Sequence, residues 1–546
     1  MPDTAHGSVD RLRQAGLLAV AVAVLLVACL AGCVRADRDV LVPRALETPS
    51  GAPAPPAQPA SQSVATLLAA ARSQPEALLA RTRLSQSAVL LLSVVVAIAV
   101  GLDFTRLLSL RNLALALMLA VGACFFDILE FFDVMADPAY FQLMDWVFTA
   151  IVALSAALML LALHGAWRPV ASPWTPNLPL RPVAALALVL VAADIHAALS
   201  RPPDDAGFYV NLGAQRLRER GRLPYGDPLL TGSPAAAYGP VLYAVQVPFQ
   251  VALAPAPINR PPHPGALVPG APPYLLPPAL ASQLCTIAFH LLGVGALFVA
   301  AGRMAGPHVA WAVVALYAGS SAVLGLGGSG DQTVNGMTFV SHIAPAAATL
   351  LAFAALPWPA VSGVLLVLGV GVLFYPLFLV PAWLGHYWND RAARLRFLAA
   401  VVVTAAVVGA AVLALSQPSG GRSLLGTILA ETLGHQEAAT TYGSSPFGFW
   451  GQRGGVRGLL MQPLLGGVSI ARPVVLAYFA LALGSFWLAR GGRPDALALL
   501  VGALAIGAQA WKIHATGTYT AWYYPFLLLG LFARGPRAPA PGRPAR

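Results

Sequence analysis

Lysine is almost missing from this chain. Lys512 is the single one in 546 residues, and arginine supplies the rest of the 33 basic side chains. Charge of either sign is scarce: 10% of residues are Asp, Glu, Lys or Arg, against about 25% in soluble domains. With 58% of residues hydrophobic, that shortage excludes a soluble enzyme and implies a polytopic membrane protein. Cysteine is nearly absent too. Cys29, Cys33, Cys124 and Cys285 all sit in apolar runs with no C-x-x-C spacing, which argues against a disulfide framework or a zinc site. Nor is there an internal repeat, or a polar stretch large enough to fold alone. The net charge of +11 would suggest nucleic acid in a soluble protein. Here the arginines cluster in short loops between apolar runs, where they set topology and meet anionic headgroups. Membrane lipids are the expected partner, and nucleic acid is not.

What is present divides as follows. Residues 1–33 read as a signal or anchor segment: Arg11 and Arg13 precede an apolar run ending Leu30-Ala31-Gly32-Cys33. That ending looks like a bacterial lipobox with Cys33 as the lipidated residue, and it equally fits an uncleaved first transmembrane helix. Residues 34–85 form a Pro/Ala-rich linker, expected to be extended apart from a short helix over 64–83. Residues 86–180 hold three spans, Ala88–Asp103, Leu113–Phe131 and Trp146–Leu163. Arg106 and Arg111 fill the first connection; Asp133, Asp137 and Asp145 fill the second. Asp127 and Glu130 are expected to snorkel as a pair at the outer interface.

Residues 181–535 form the main bundle, and 536–546 a basic cytoplasmic tail. Its first span, Val183–Leu199, runs outward by the positive-inside rule. Val241–Ala254 is apolar but short and contains Pro248, so it is expected to be interfacial or re-entrant and packed on protein. Tyr375-Pro376 interrupts a later apolar run. Placing Arg391, Arg394 and Arg396 inside requires two short spans that meet at an outward-facing break there.

The densest polar chemistry lies between Asp194 and Phe249. It includes the acid pair Asp204-Asp205, a charged segment from Gln215 to Arg222, and turn signals at Leu223–Asp227 and Ala237–Pro240. Arg216, Arg218, Glu219 and Arg220 are expected on a solvated helix face. Three more polar stretches fall on the same side of the membrane: the Asp331 loop with Ser341 and His342, the loop from His435 to Trp450, and Lys512 to Tyr519. Trp522, Tyr523 and Tyr524 are expected in an interfacial aromatic belt.

The run Asp205-Ala-Gly-Phe-Tyr209, then Gly221-Arg-Leu-Pro-Tyr-Gly226 and Tyr238-Gly-Pro-Val-Leu-Tyr243, resembles polytopic glycosyltransferases of the GT-C fold, from about Arg181 onward. The resemblance implies an all-α polytopic integral membrane protein of about 13–14 helices with extracytoplasmic loops. It also implies a polyprenyl-phosphate-linked sugar donor, a cell-envelope glycan or lipid acceptor, and a catalytic acid in the first external loop of the core. Asp205, with Asp204 beside it, matches that position. Adjacent acids replace an Asp-x-Asp, which leaves a divalent cation (magnesium or manganese) open, with Asp204 and Asp205 as its ligands. No other cofactor is implied.

The chemistry can be argued from the residues as well. An acceptor hydroxyl must lose its proton as it attacks the anomeric carbon, and a carboxylate supplies the base. The leaving phosphate needs cationic donors, for which Lys512 and His514 are candidates. Tyr209, Tyr238, His342, Tyr442, Trp450 and Tyr519 are candidates for substrate contacts. A polytopic transporter or lipid-carrier flippase is the alternative. A long amphipathic loop helix packed beside Asp205 favours the enzyme, and a sealed central cavity lined by charges favours the transporter.

Overall fold

The computed structural model describes residues 86–131, 138–168, 173–200, 203, 205–228, 230, 233–253, 279–327, 333–334, 340–434, 471–511 and 519–533. These are helical apart from turns and one two-residue antiparallel pair, β1 (Leu326–Gly327) with β2 (Thr333–Val334). The helices are α1 (Gln86–Val96, prolonged by a π-helical turn to Gly101), α2 (Leu110–Phe131), α3 (Pro138–Trp167), α4 (Leu180–Ser200), α5 (Asp205–Arg220) and α6 (Pro240–Ala252). They continue as α7 (Ala279–Ala305), α8 (Pro307–Ala318), α9 (Ser321–Leu324), α10 (Val340–Ala354), α11 (Pro359–Val372), α12 (Val380–His386) and α13 (Arg391–Leu415). The last are α14 (Leu424–Leu429), α15 (Ala471–Ala489), α16 (Pro494–Trp511) and α17 (Thr520–Phe532).

Local chemistry sets many of these starts. Pro138, Pro240, Pro307, Pro359 and Pro494 each open a helix, where proline's missing N–H costs nothing and its fixed φ is already helical. Asp390 and Ser423 cap α13 and α14 by accepting from Ala393 N and Gly426 N. Four segments are long and apolar enough to cross a membrane: Thr149–Trp167, α4, α7 and α13. The other apolar helices among the described residues are shorter.

The chain reverses at Tyr375-Pro376, as the arginine pattern requires. After α11 a 3₁₀ turn (Tyr375–Leu379) leads into α12, which packs on α15 and returns toward the start of α11. Trp383 Nε1 donates to Ser362 Oγ at 2.9 Å, and Tyr387 Oη donates to the Leu356 carbonyl at 2.8 Å. One end of the bundle therefore gathers arginines in tight turns. Arg303 lies 4.9 Å over the Trp358 ring, Arg394 lies 4.5 Å over the Trp388 ring, and Asn389 donates to the Arg490 carbonyl.

Some expectations are corrected. Proline starts α3 at residue 138, so Asp145 is helical and not in a loop. Arg111 lies in the first turn of α2, 1% exposed, donating to the Leu531 carbonyl at 2.7 Å and facing Asp103. Trp522, Tyr523 and Tyr524 form no interfacial belt. They are 1%, 0% and 5% exposed, because α17 is buried along its whole length among α16, α10 and α8. The side chains of Asp127 and Glu130, and the linker helix over 64–83, lie outside what is described.

Candidate functional site

The end of the bundle opposite the arginine turns holds the backbone of Asp205 and, at the heads of other helices, His342 and Tyr519. Asp205 is the first residue of α5, five residues past the end of membrane-length α4. The helix then lies across the bundle end, packed on α6, α7 and α10. Its contact with α6 is polar. Gln250 Nε2 donates to the Asn211 carbonyl at 2.7 Å and to its Oδ1 at 2.6 Å, and Gln246 Nε2 donates to the same Oδ1 at 3.1 Å. All three side chains are buried. Buried amides are tolerated because they pair with one another. The short apolar segment after Tyr238 is thus a helix packed on protein, as its length and Pro248 imply.

Two of the expected contact residues meet. His342, at the head of α10, stands edge-on to Tyr519 with ring centroids 4.4 Å apart. Tyr519 stacks on Trp522 at 4.4 Å and 17°, and Trp522 stacks on Tyr375 at 4.4 Å and 13°. The result is an aromatic column running from the bundle end into the core. Gln509, fully buried, anchors it by accepting from Tyr519 N at 2.8 Å while donating to the Ala505 carbonyl. Trp522 and Tyr375 were not recognised as partners from the sequence. Spacing within one chain cannot reveal that α17 and the Tyr375 break share a stack.

Tyr209 and Tyr238 are placed elsewhere. Tyr209 packs beside Phe208 against a small cluster of Leu212, Leu230 and Ala235. Tyr238 serves through its backbone, donating to Tyr243 Oη at 3.0 Å and accepting from Tyr225 Oη. The side chain of Asp205, and Asp204, Lys512, His514, Tyr442 and Trp450 entirely, lie outside what is described. Among the described residues no group of three His, Cys, Asp or Glu side chains could hold a metal ion.

A second polar centre lies where the two long loops join. Asp227 N donates to the Pro224 carbonyl, and Gly226 takes φ +78°. That is the pattern of a type II turn, whose third position needs glycine. The start of the second loop docks on this turn. Leu223 N donates to the Leu415 carbonyl at 2.8 Å, Gln417 Nε2 to the Gly226 carbonyl at 3.0 Å, and Gly226 N to Glu431 Oε2 at 2.8 Å. Beneath the turn Arg216 Nε donates to Asp227 Oδ2 at 2.8 Å, with both side chains buried. Arg216 is therefore not on a solvated face. The turn folds Asp227 over it, and a buried charge is held only if paired.

Glu431 is half-buried with its pKa raised. Burial is the largest cause and the charge of Asp227 adds to it, partly offset by the Gly226 N–H and Arg422. Burial also raises the Tyr225 hydroxyl far above its ordinary range, so it stays a donor. The turn signal at Leu223–Asp227 pointed to this place, but nothing in the sequence pointed to Glu431. When the chain is compared with protein-family models, with curated proteins and with solved structures, nothing matches.

Proposed function

We propose that the chain is a membrane glycosyltransferase of GT-C type. It moves a sugar from a polyprenyl-phosphate donor to an envelope glycan or lipid acceptor, on the extracytoplasmic face of the bacterial cytoplasmic membrane. The observation that carries this is α5, a helix that begins at Asp205 directly after a membrane-length helix and packs along the bundle end. In this reading Asp205 takes the proton of the acceptor hydroxyl as the oxygen attacks the anomeric carbon, and the sugar–phosphate bond breaks. Lys512 and His514 would meet the charge left on the phosphate, while His342 and Tyr519 offer ring faces and edges to the sugar or lipid. Asp204 supports Asp205 or shares a divalent cation with it.

The test is a membrane assay with a panel of radiolabelled polyprenyl-phosphate sugars, comparing wild type with Asp205→Asn. Turnover should fall by about 10²–10⁴, the usual cost of losing a general base, with expression unchanged. Wild-type turnover in Asp205→Asn on a donor that is used would refute the mechanism. The transporter reading keeps one observation of its own. Asp194 and His290 meet at 3.0 Å inside α4 and α7 with both side chains fully buried, and ionisable pairs at such depth often mark ion pathways.

A further inference from the structure

The chain around Asp205 is held on both sides by two adjacent residues of α7. Gln283 Nε2 donates to the carbonyls of Ala198 and Leu199, at 3.0 and 3.2 Å, where α4 ends. Ser282 Oγ, fully buried, donates to the Gly207 carbonyl at 3.2 Å, where α5 begins. Asp205 thus lies in a short stretch whose two ends are tied to consecutive positions at the head of one helix. Two turns further along α7, His290 meets Asp194 of α4 at 3.0 Å. His290 is seven residues past Gln283 and therefore on the same helical face. Its ring stacks on Tyr317 of α8, centroids 6.1 Å apart. The α4–α7 contact is consequently polar at two levels. An apolar helix pair can slide or rotate at small cost; here the Gln283 hydrogen bonds supply the direction that fixes its register, and the fully buried Asp194–His290 contact adds a close ionisable pair without an aligned hydrogen bond.

We infer that Ser282, Gln283 and the Asp194–His290 pair are positioning residues. They form a seat on α7 that sets where α4 hands over to α5, and so where Asp205 stands. This inference rests on the reading of Asp205 as the general base. None of the four touches the reacting atoms; they act through the backbone they hold. Gln283 carries the sharpest case, because one amide nitrogen reaches two successive carbonyls at the end of α4. Those carbonyls belong to the last turn of a helix and have no intrahelical donor.

The experiment uses full-length protein in native membranes with a reporter cysteine, Ala206→Cys, in a background free of other cysteines. The first readout is the rate of labelling by an impermeant maleimide. Gln283→Leu and Gln283→Met each keep the side chain's approximate size and lose both donated bonds. Two bonds of ordinary net strength are lost, so labelling should rise on the order of tenfold in each. Ser282→Ala should raise it less, and Ser282→Thr, which keeps the hydroxyl, should sit between Ser282→Ala and wild type.

The second readout is sugar transfer in the same Gln283 variants with Ala206 restored. Turnover should fall on the order of tenfold while KM for the donor moves less than about twofold, because a misplaced base weakens the transition state and not donor binding. Wild-type labelling in both Gln283 variants overturns the seat. So does raised labelling accompanied by unchanged turnover in an active enzyme. If labelling rises as expected but wild type transfers none of the sugars, the seat stands and the glycosyltransferase reading fails.

Discussion

Glu431 shows how one side chain can report on the joint between the two loops. Its carboxylate accepts from Gly226 N, 205 residues away in sequence, in a half-buried place shared with Asp227. Its pKa is raised in the folded protein, mainly by burial, so the folded state holds its proton more tightly than the unfolded chain. Stability from that difference is fully present below the ordinary glutamate range and is lost as pH rises through the raised value. Glu431→Gln keeps an acceptor for Gly226 N and removes the titration. The variant should therefore match wild type in melting temperature at acid pH and become the more stable of the two as pH rises toward neutral. A constant gap from pH 4 to 8 would show that Glu431 does not titrate against the joint. Side-chain roles of this kind were the least legible in the sequence. Arg216 stands in Arg-Leu-Arg-Glu-Arg, which has the composition of a solvated face, and only the turn that brings Asp227 beneath the helix makes it a buried ion pair. Trp522-Tyr-Tyr at a helix start has the composition of an interfacial belt. It becomes core because neighbouring helices cover α17 on every side.

Elements were more legible than side chains, because apolar runs bounded by proline and charge leave few choices. The helix after Tyr238 follows from run length and proline position, and the reversal at Tyr375-Pro376 from the proline together with the arginines that follow it. Boundaries were less so. A helix can extend past its apolar run when a proline opens it, as at Pro138, and α5 begins at Asp205, well before the charged segment that suggested it. Close helix contacts are not written in hydrophobicity at all, since they depend on glycines whose partners are remote. Gly385 of α12 faces α15 so closely that a Cβ there would lie 2.1 Å from the Phe486 carbonyl oxygen. A Cβ built on Gly484, two residues before Phe486 on α15, would meet nothing within 4 Å. Gly385→Ala should therefore destabilise the protein by about 1–3 kcal/mol, the usual cost of overpacking. Gly484→Ala should be neutral or stabilise by up to about 1 kcal/mol, because alanine is the better helix former. Thermal unfolding in detergent separates the two. Equal melting temperatures would mean that α12 and α15 are not packed at this distance.

At the scale of the whole molecule the two ends of the bundle differ in how their arginines are held. At one end Arg303, Arg391, Arg394, Arg490 and Arg493 sit in or beside connections of a few residues, several lying over Trp358, Trp388 and Phe486. At the other, Arg216 and Arg218 are engaged with Asp227, Glu219 and the Gln250 carbonyl, while Arg222 donates to Gln417. Those arginines belong to the long segment between α4 and α7, which runs from 201 to 278. Orientation is set by basic residues in short connections, and segments longer than about 60 residues cross largely regardless of charge. The tight-turn end should therefore face the cytoplasm and the Asp205 end the outside. Four single cysteines at exposed positions test this in a background free of other cysteines: Arg222→Cys and Pro418→Cys at the Asp205 end, Ala392→Cys and Gly491→Cys at the other. In intact cells an impermeant maleimide should label the first pair and spare the second until the membrane is opened. The reverse pattern would invert the protein and remove Asp205 from any donor presented outside. Labelling of Pro418 and Ala392 from the same side would mean that α13 does not cross the membrane, although it is long and apolar enough to do so.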